Sequence, residues 1–148
     1  LVPVLEQVLE QYPQQVKVVF KNFPLRSHKY AFKAAQAAMA AEKQGKFWEF
    51  HDLLFKNYNR INDQKITEII TRLNLDADQF QREMQDPAIK SQINADLSNG
   101  NSAGVRGTPT VFINGKVLRD KSLKGFQRQI NREISQLKTG AKSEAKNQ

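Results

Sequence analysis

Cysteine is absent from all 148 residues, which excludes disulfides, thiolate metal sites and cysteine nucleophiles within this chain. Histidine is almost as scarce. His28 and His51 are the only imidazoles, they fall on different expected elements, and no acidic cluster has metal-ligand spacing. No metal site and no cofactor is therefore expected. No serine, histidine and acid grouping suggests hydrolysis, and no glycine loop has phosphate-binding form. No apolar run approaches the ~18 residues of a membrane-spanning helix, so no transmembrane segment is expected. A secretory leader pattern is missing too, and the chain opens on Leu1, already inside an apolar pattern and without Met. That start reads as a processed or incomplete N-terminus.

Acids are also in short supply. Lys and Arg number 23 against 15 Asp and Glu, a formal net charge of +8. Such an excess favours anionic partners, nucleic acid among them. Its distribution argues otherwise, because basic residues are mixed with acids, as in Lys65-Ile66-Thr67-Glu68 and from Arg128 to Glu133. A nucleic-acid surface is accordingly ranked last. From Lys138 to Gln148 three lysines face Glu144 alone, and this stretch is expected to be a basic, disordered tail.

What is present is periodic. Leu1, Leu5, Val8, Leu9 and Tyr12 share a helical face ended by Pro13, with Pro3 tolerable in the first turn. Val16–Lys21 is β-branched and aromatic, the pattern of a strand. Tyr30–Lys43 is an alanine-rich helix that permits close packing, broken by Gly45. Phe47, His51, Leu54, Phe55 and Tyr58 form the next stripe, with Trp48 and Phe50 expected to complete a core body. Ile66, Ile69, Ile70 and Leu73 mark a helix opened by Asn62 or Asp63. Asp76 with Gln79 resembles a capping box, and Asp86-Pro87 an N-cap followed by a first-position proline. Gly100–Gly107 reads as a break. Thr110–Ile113, Asn114-Gly115 and Lys116–Leu118 form a hairpin, since Asn-Gly supplies the two positive-φ positions of a type I′ turn. Ser122 caps a final helix carrying Leu123, Phe126, Ile130, Ile134 and Leu137. The sum is an α/β chain with a helical insertion at about 28–103, a single domain over 1–137 and the tail over 138–148.

This order of elements resembles the DsbA-like branch of the thioredoxin fold, the thiol–disulfide oxidoreductases of bacterial envelopes. Val18–Leu25, Ala34–Phe55 with its Gly45–His51 centre, Gly104–Gly115 and the closing helix carry the likeness. The Gly-Val-Arg-Gly-Thr-Pro-Thr run from Gly104 to Thr110 is its most specific part. The resemblance implies that Gly107, Thr108 and Pro109 bind the client, with Pro109 cis and Thr108 offering its N–H and C=O to an extended peptide. From the tetrapeptide alone, a trans proline opening an edge strand is equally compatible. The family's dithiol, Cys-x-x-Cys at the start of the first helix, has no counterpart here. Its place would fall just before Leu1, so no residue of this chain is expected to be catalytic.

Two explanations follow. Either the chain is a fragment of a larger oxidoreductase, or a relative has lost its dithiol and binds peptides without thiol chemistry. A missing central strand favours the first, because its neighbours would expose unpaired backbone groups. On that reading Val16–Lys21 and Thr110–Ile113 do not pair but flank an empty strand position, ~10 Å apart. The resemblance further implies cysteine-containing client polypeptides, a redox partner protein and a periplasmic or otherwise extracytoplasmic location. His51 is read as a packed interfacial histidine rather than a proton carrier, and His28 as a loop or capping residue.

Overall fold

Short polar side chains set where several helices begin in the computed structural model, which describes residues 1–144. Asn62 accepts from the Lys65 backbone N–H at 2.8 Å, Asp76 from that of Gln79 at 2.8 Å, and Asp86 from that of Ala88 at 2.8 Å. Each satisfies one of the donors that a helix start leaves open. The elements run α1 (Val2–Gln11), α2 (Ala31–Glu42), α3 (Phe47–Lys56), a 3-10 turn at Tyr58–Arg60, α4 (Asp63–Arg72), α5 (Ala77–Gln85), α6 (Pro87–Ser102), β1 (Phe112–Ile113), β2 (Lys116–Val117) and α7 (Leu123–Glu144). The architecture is mostly helical with a small two-stranded sheet among the described residues.

Two compact units divide the chain: Leu1–Phe20 with the chain from Gly107 on, and Lys21–Arg106. The second is the helical part. It reaches further than the stretch of about 28–103 because Lys21 and Asn22 are bonded to Asp96 of α6. Its core packs α2, where Ala37, Ala40 and Ala41 are fully buried, against α3, α5 and α6. The alanines let neighbouring helices approach closely, and the Phe50 and Phe80 rings stack at 5.6 Å in the same core. In the first unit Val8 of α1 meets Leu118, Phe126 and Ile130.

Several expectations need correction. Val16–Lys21 forms no strand: the sheet of the described residues holds only β1 and β2, and the segment is irregular. β-propensity expresses itself only where a partner strand completes the ladder. On α1 the packed face is Val4, Leu5, Val8 and Tyr12, while Leu1 and Leu9 are exposed. Trp48, Phe55 and Tyr58, expected in the core, are 47%, 59% and 76% exposed. The buried side of α3 is Phe50, His51, Leu53 and Leu54, with Phe47 packed against the same core, so His51, Leu54 and Phe50 are buried as expected while the outer part of the stripe turns to solvent. α6 continues through Gly100, where the missing Cβ admits the Phe23 ring: a Cβ there would lie 2.8 Å from it. α7 runs on to Glu144, so the chain from Lys138 to Glu144 is helical where a disordered tail was expected. Lysine, alanine and glutamate are good helix formers even where composition signals disorder. Residues 145–148 of the expected tail lie outside the described residues.

Candidate functional site

The loop that enters the hairpin is built from a short-range bond and a long-range clamp. Thr110 donates its hydroxyl to the Gly107 carbonyl at 2.7 Å, closing a tight turn around Thr108 and Pro109. The Thr108–Pro109 peptide is cis. Both residues are exposed and Gly107 is half-buried. Among the described residues, no hydrogen bond uses the N–H or C=O of Thr108. The loop therefore presents one donor and one acceptor to solvent beside the first strand of the sheet.

The strand that follows is held from two directions. β1 pairs antiparallel with β2 in the register Phe112–Val117 and Ile113–Lys116, and Leu118 donates to the Val111 carbonyl at 2.8 Å. Asn114 and Gly115 close the turn with φ of 47° and 77°. Glu133 of α7 then fastens the hairpin. Its carboxylate accepts from Lys116 Nζ at 2.8 Å, Asn114 Nδ2 at 3.3 Å and Gln129 Nε2 at 2.9 Å. The Lys116 hydrogen bond leads the effects that hold this carboxyl below its usual range, against a smaller opposing contribution from burial.

At the start of α7, Gly125 donates its N–H to the Ser122 hydroxyl at 3.2 Å, as Ser122 caps the helix. A Cβ on Gly125 would lie 2.0 Å from the Asp120 carbonyl oxygen, so only glycine fits between the helix and the Asp120 loop. Asp120 in turn pairs with Arg128 and accepts from the Ser122 N–H at 3.0 Å.

The two histidines belong to the other unit. His51 is buried, its ring 4.5 Å from that of Phe55 and its Nδ1 3.0 Å from Asp52. His28 is exposed in the loop before α2. Among the described residues, no group of histidine and carboxylate side chains is arranged to hold a metal, and no helix is long and apolar enough to cross a membrane.

Sequence reasoning named Gly107, Thr108 and Pro109, and these three form the loop. It missed Glu133, which looks like one more acid on a charged helix. Only the pairing of Asn114 and Lys116 across the hairpin turn hints at a carboxylate partner. It also missed Asp96, two of whose partners, Lys21 and Asn22, are more than seventy residues away.

The chain belongs to the DSBA-like thioredoxin domain family, which it matches over residues 2–131. It is similar in structure to a thioredoxin-like oxidoreductase from Silicibacter pomeroyi, with a TM-score of 0.78 at 23% identity, covering 90% of this chain and 77% of that one. It is also similar to the thiol-disulfide exchange protein alpha-DsbA2 from Wolbachia pipientis, with a TM-score of 0.75 at 23% identity, covering 88% and 71%. At that identity the likeness concerns the fold. A curated relative, Na(+)/H(+) antiporter NhaA 3 of Salinispora tropica, is 36% identical over 115 residues, which are 77% of this chain and 18% of that protein. This chain thus spans less than a fifth of the length of that relative.

Proposed function

We propose that this chain is the client-binding part of an extracytoplasmic DsbA-like thiol–disulfide oxidoreductase. The observation that carries the reading is the exposed Gly107-Thr108-Pro109 loop, whose Thr108 backbone groups are uncommitted among the described residues. An extended client segment lies along this loop, pairs with the N–H and C=O of Thr108, and continues the hydrogen-bonding direction of the hairpin. Side chains of the client contribute less than this backbone pairing, which suits an enzyme acting on many proteins.

The chemistry requires a thiolate, and none of the 148 residues supplies one. In the intact protein a Cys-x-x-Cys preceding Leu1 provides it. With the pair oxidised, a client thiolate attacks one sulfur of its disulfide, forming a mixed disulfide and releasing the other cysteine as thiolate; a second client thiolate then attacks the mixed disulfide, leaving the client oxidised and the pair reduced. A redox partner protein resets the pair. The similarity to antiporters covers too small a share of those proteins to bring ion exchange to this chain.

The absence of cysteine favours a second reading, a peptide-binding module without thiol chemistry. Oxidation of a reduced client protein separates the two. The intact protein is expected to turn over, with loss on replacing either upstream cysteine, while this chain alone leaves the rate at background. An intact protein with a full N-terminal strand and no dithiol supports the module and overturns the oxidoreductase.

A further inference from the structure

We propose a second binding site, for an acidic stretch of polypeptide, in the cleft between the Pro24–Phe32 segment and α6. It lies wholly within the Lys21–Arg106 unit and does not depend on thiol chemistry. The cleft encloses about 320 Å³. That is near the lower end of ordinary ligand sites, ~300–1,000 Å³, and enough for one or two side chains.

Its chemistry is one-sided. Arg26, His28 and Lys29 line one wall and all three are exposed. Among the described residues, no carboxylate pairs with any of them. Lys29 Nζ stands 5.4 Å from the Tyr30 ring centroid, a contact that steadies the cation without neutralising it. The single acid of α6, Asp96, does not line the cleft and is taken up by Lys21, Asn22 and Gln92. Below the cations the floor is apolar, made by the half-buried Leu25, Phe32 and Leu97.

A cationic wall over an apolar floor fits a ligand that carries carboxylates next to an aliphatic or aromatic side chain. Arg26 can hold a carboxylate through two parallel N–H donors, and Lys29 adds a mobile point charge. The floor receives the neighbouring apolar side chain, and the amide of Asn94 at the rim can bond the peptide backbone. Concavity argues against a membrane surface, which is met by a protruding amphipathic face. Arg26 and Lys29 in one compact wall do not make the long basic stripe that tracks a nucleic-acid backbone. The net charge of +8 adds long-range attraction for an acidic segment.

Fluorescence anisotropy tests this on the chain as it exists, using a labelled peptide with Asp and Glu around Leu and Phe. A matched peptide with Lys at the acidic positions, inorganic phosphate and phosphatidylserine vesicles serve as competitors. The acidic peptide is expected to bind, more weakly as salt rises, and to be displaced by none of the three. Arg26→Glu with Lys29→Glu is expected to weaken binding by about tenfold or more, as reversal of charges that face a ligand does. The doubly reversed Lys121→Glu, Lys124→Glu chain is the control, with the same change in net charge, and should lose far less affinity. Circular dichroism and the unfolding midpoint confirm that both variants fold. Equal binding of the acidic and basic peptides, or retained affinity in the folded Arg26 and Lys29 variant, overturns the proposal. Displacement by phosphate makes the cleft a plain anion site, and displacement by vesicles makes it a lipid site; either result overturns it as well.

Discussion

The Asp96 carboxylate accepts the backbone N–H of Asn22 at 3.0 Å, joining the segment before α2 to the middle of α6. It also accepts from Lys21 Nζ at 3.1 Å and Gln92 Nε2 at 3.0 Å. Burial by itself would raise this carboxyl, but the bonds from Asn22, Lys21 and Gln92 outweigh it and hold it below the usual range. Asp96→Asn keeps the shape but loses the charge, so it should lower stability at neutral pH by ~1–3 kcal/mol, the cost of leaving buried donors poorly satisfied. The folded state binds the Asp96 proton less tightly than the unfolded state does. Its stabilisation is therefore complete above the unfolded value of ~3.9 and is lost as pH falls through the lower folded value. Urea unfolding as a function of pH should show the two proteins converging in acid; a constant difference would assign the effect to something other than the charge.

Gly125→Ala should destabilise the chain although alanine is the better helix former. The helix gain is ~0.5–1 kcal/mol, whereas a Cβ 2.0 Å from the Asp120 carbonyl forces a backbone shift costing ~1–3 kcal/mol or more. Gly107→Ala is the comparison, because a Cβ there meets nothing within 4 Å. Thermal unfolding should separate the two variants clearly, with the midpoint falling for Gly125→Ala and staying near that of the parent chain for Gly107→Ala.

Glu133→Ala should loosen the hairpin without unfolding the chain. It removes the shared acceptor of Asn114, Lys116 and Gln129, while the β1–β2 register and the core contacts of Leu118 remain. Amide exchange at Leu118, whose N–H is bonded to Val111, should quicken, while exchange in α2 stays as it is. Glu133→Gln should fall between the two, since it keeps one acceptor oxygen and loses the charge that favours Lys116.

Ile93 is fully buried where α6 meets the rest of the helical unit. Ile93→Ala should cost ~2–5 kcal/mol, a large part of the ~5–15 kcal/mol that holds a domain of this kind together. Denaturant unfolding reads it as a fall in midpoint with little change in slope.

Much of this was legible in the sequence because local chemistry dictates it. Asn62, Asp76 and Asp86 cap the helices that their positions announce, and Asn114-Gly115 makes the turn that only positive φ allows. The Gly107–Pro109 loop was legible as a turn for the same reason, while the role proposed for it rests on family resemblance. What failed was tertiary. Trp48 and Phe55 sit on a helix so apolar that its pattern does not choose a buried face, and neighbouring helices decide it. Val16–Lys21 has strand composition, but a ladder needs a second strand. Gly100 looks like a break until the Phe23 ring fills the space that its missing side chain leaves.

The role of the Thr108–Pro109 loop is best tested by titrating the isotopically labelled chain with an extended, cysteine-containing peptide and following backbone amide shifts. Binding at the loop should move the amides of Gly107, Thr108, Thr110 and Val111 first, with α2 and α4 unaffected, and the complex should form without any thiol exchange. Saturable binding that leaves those four amides unchanged, or no binding by a peptide that the intact protein oxidises, would contradict a client-binding role for this loop.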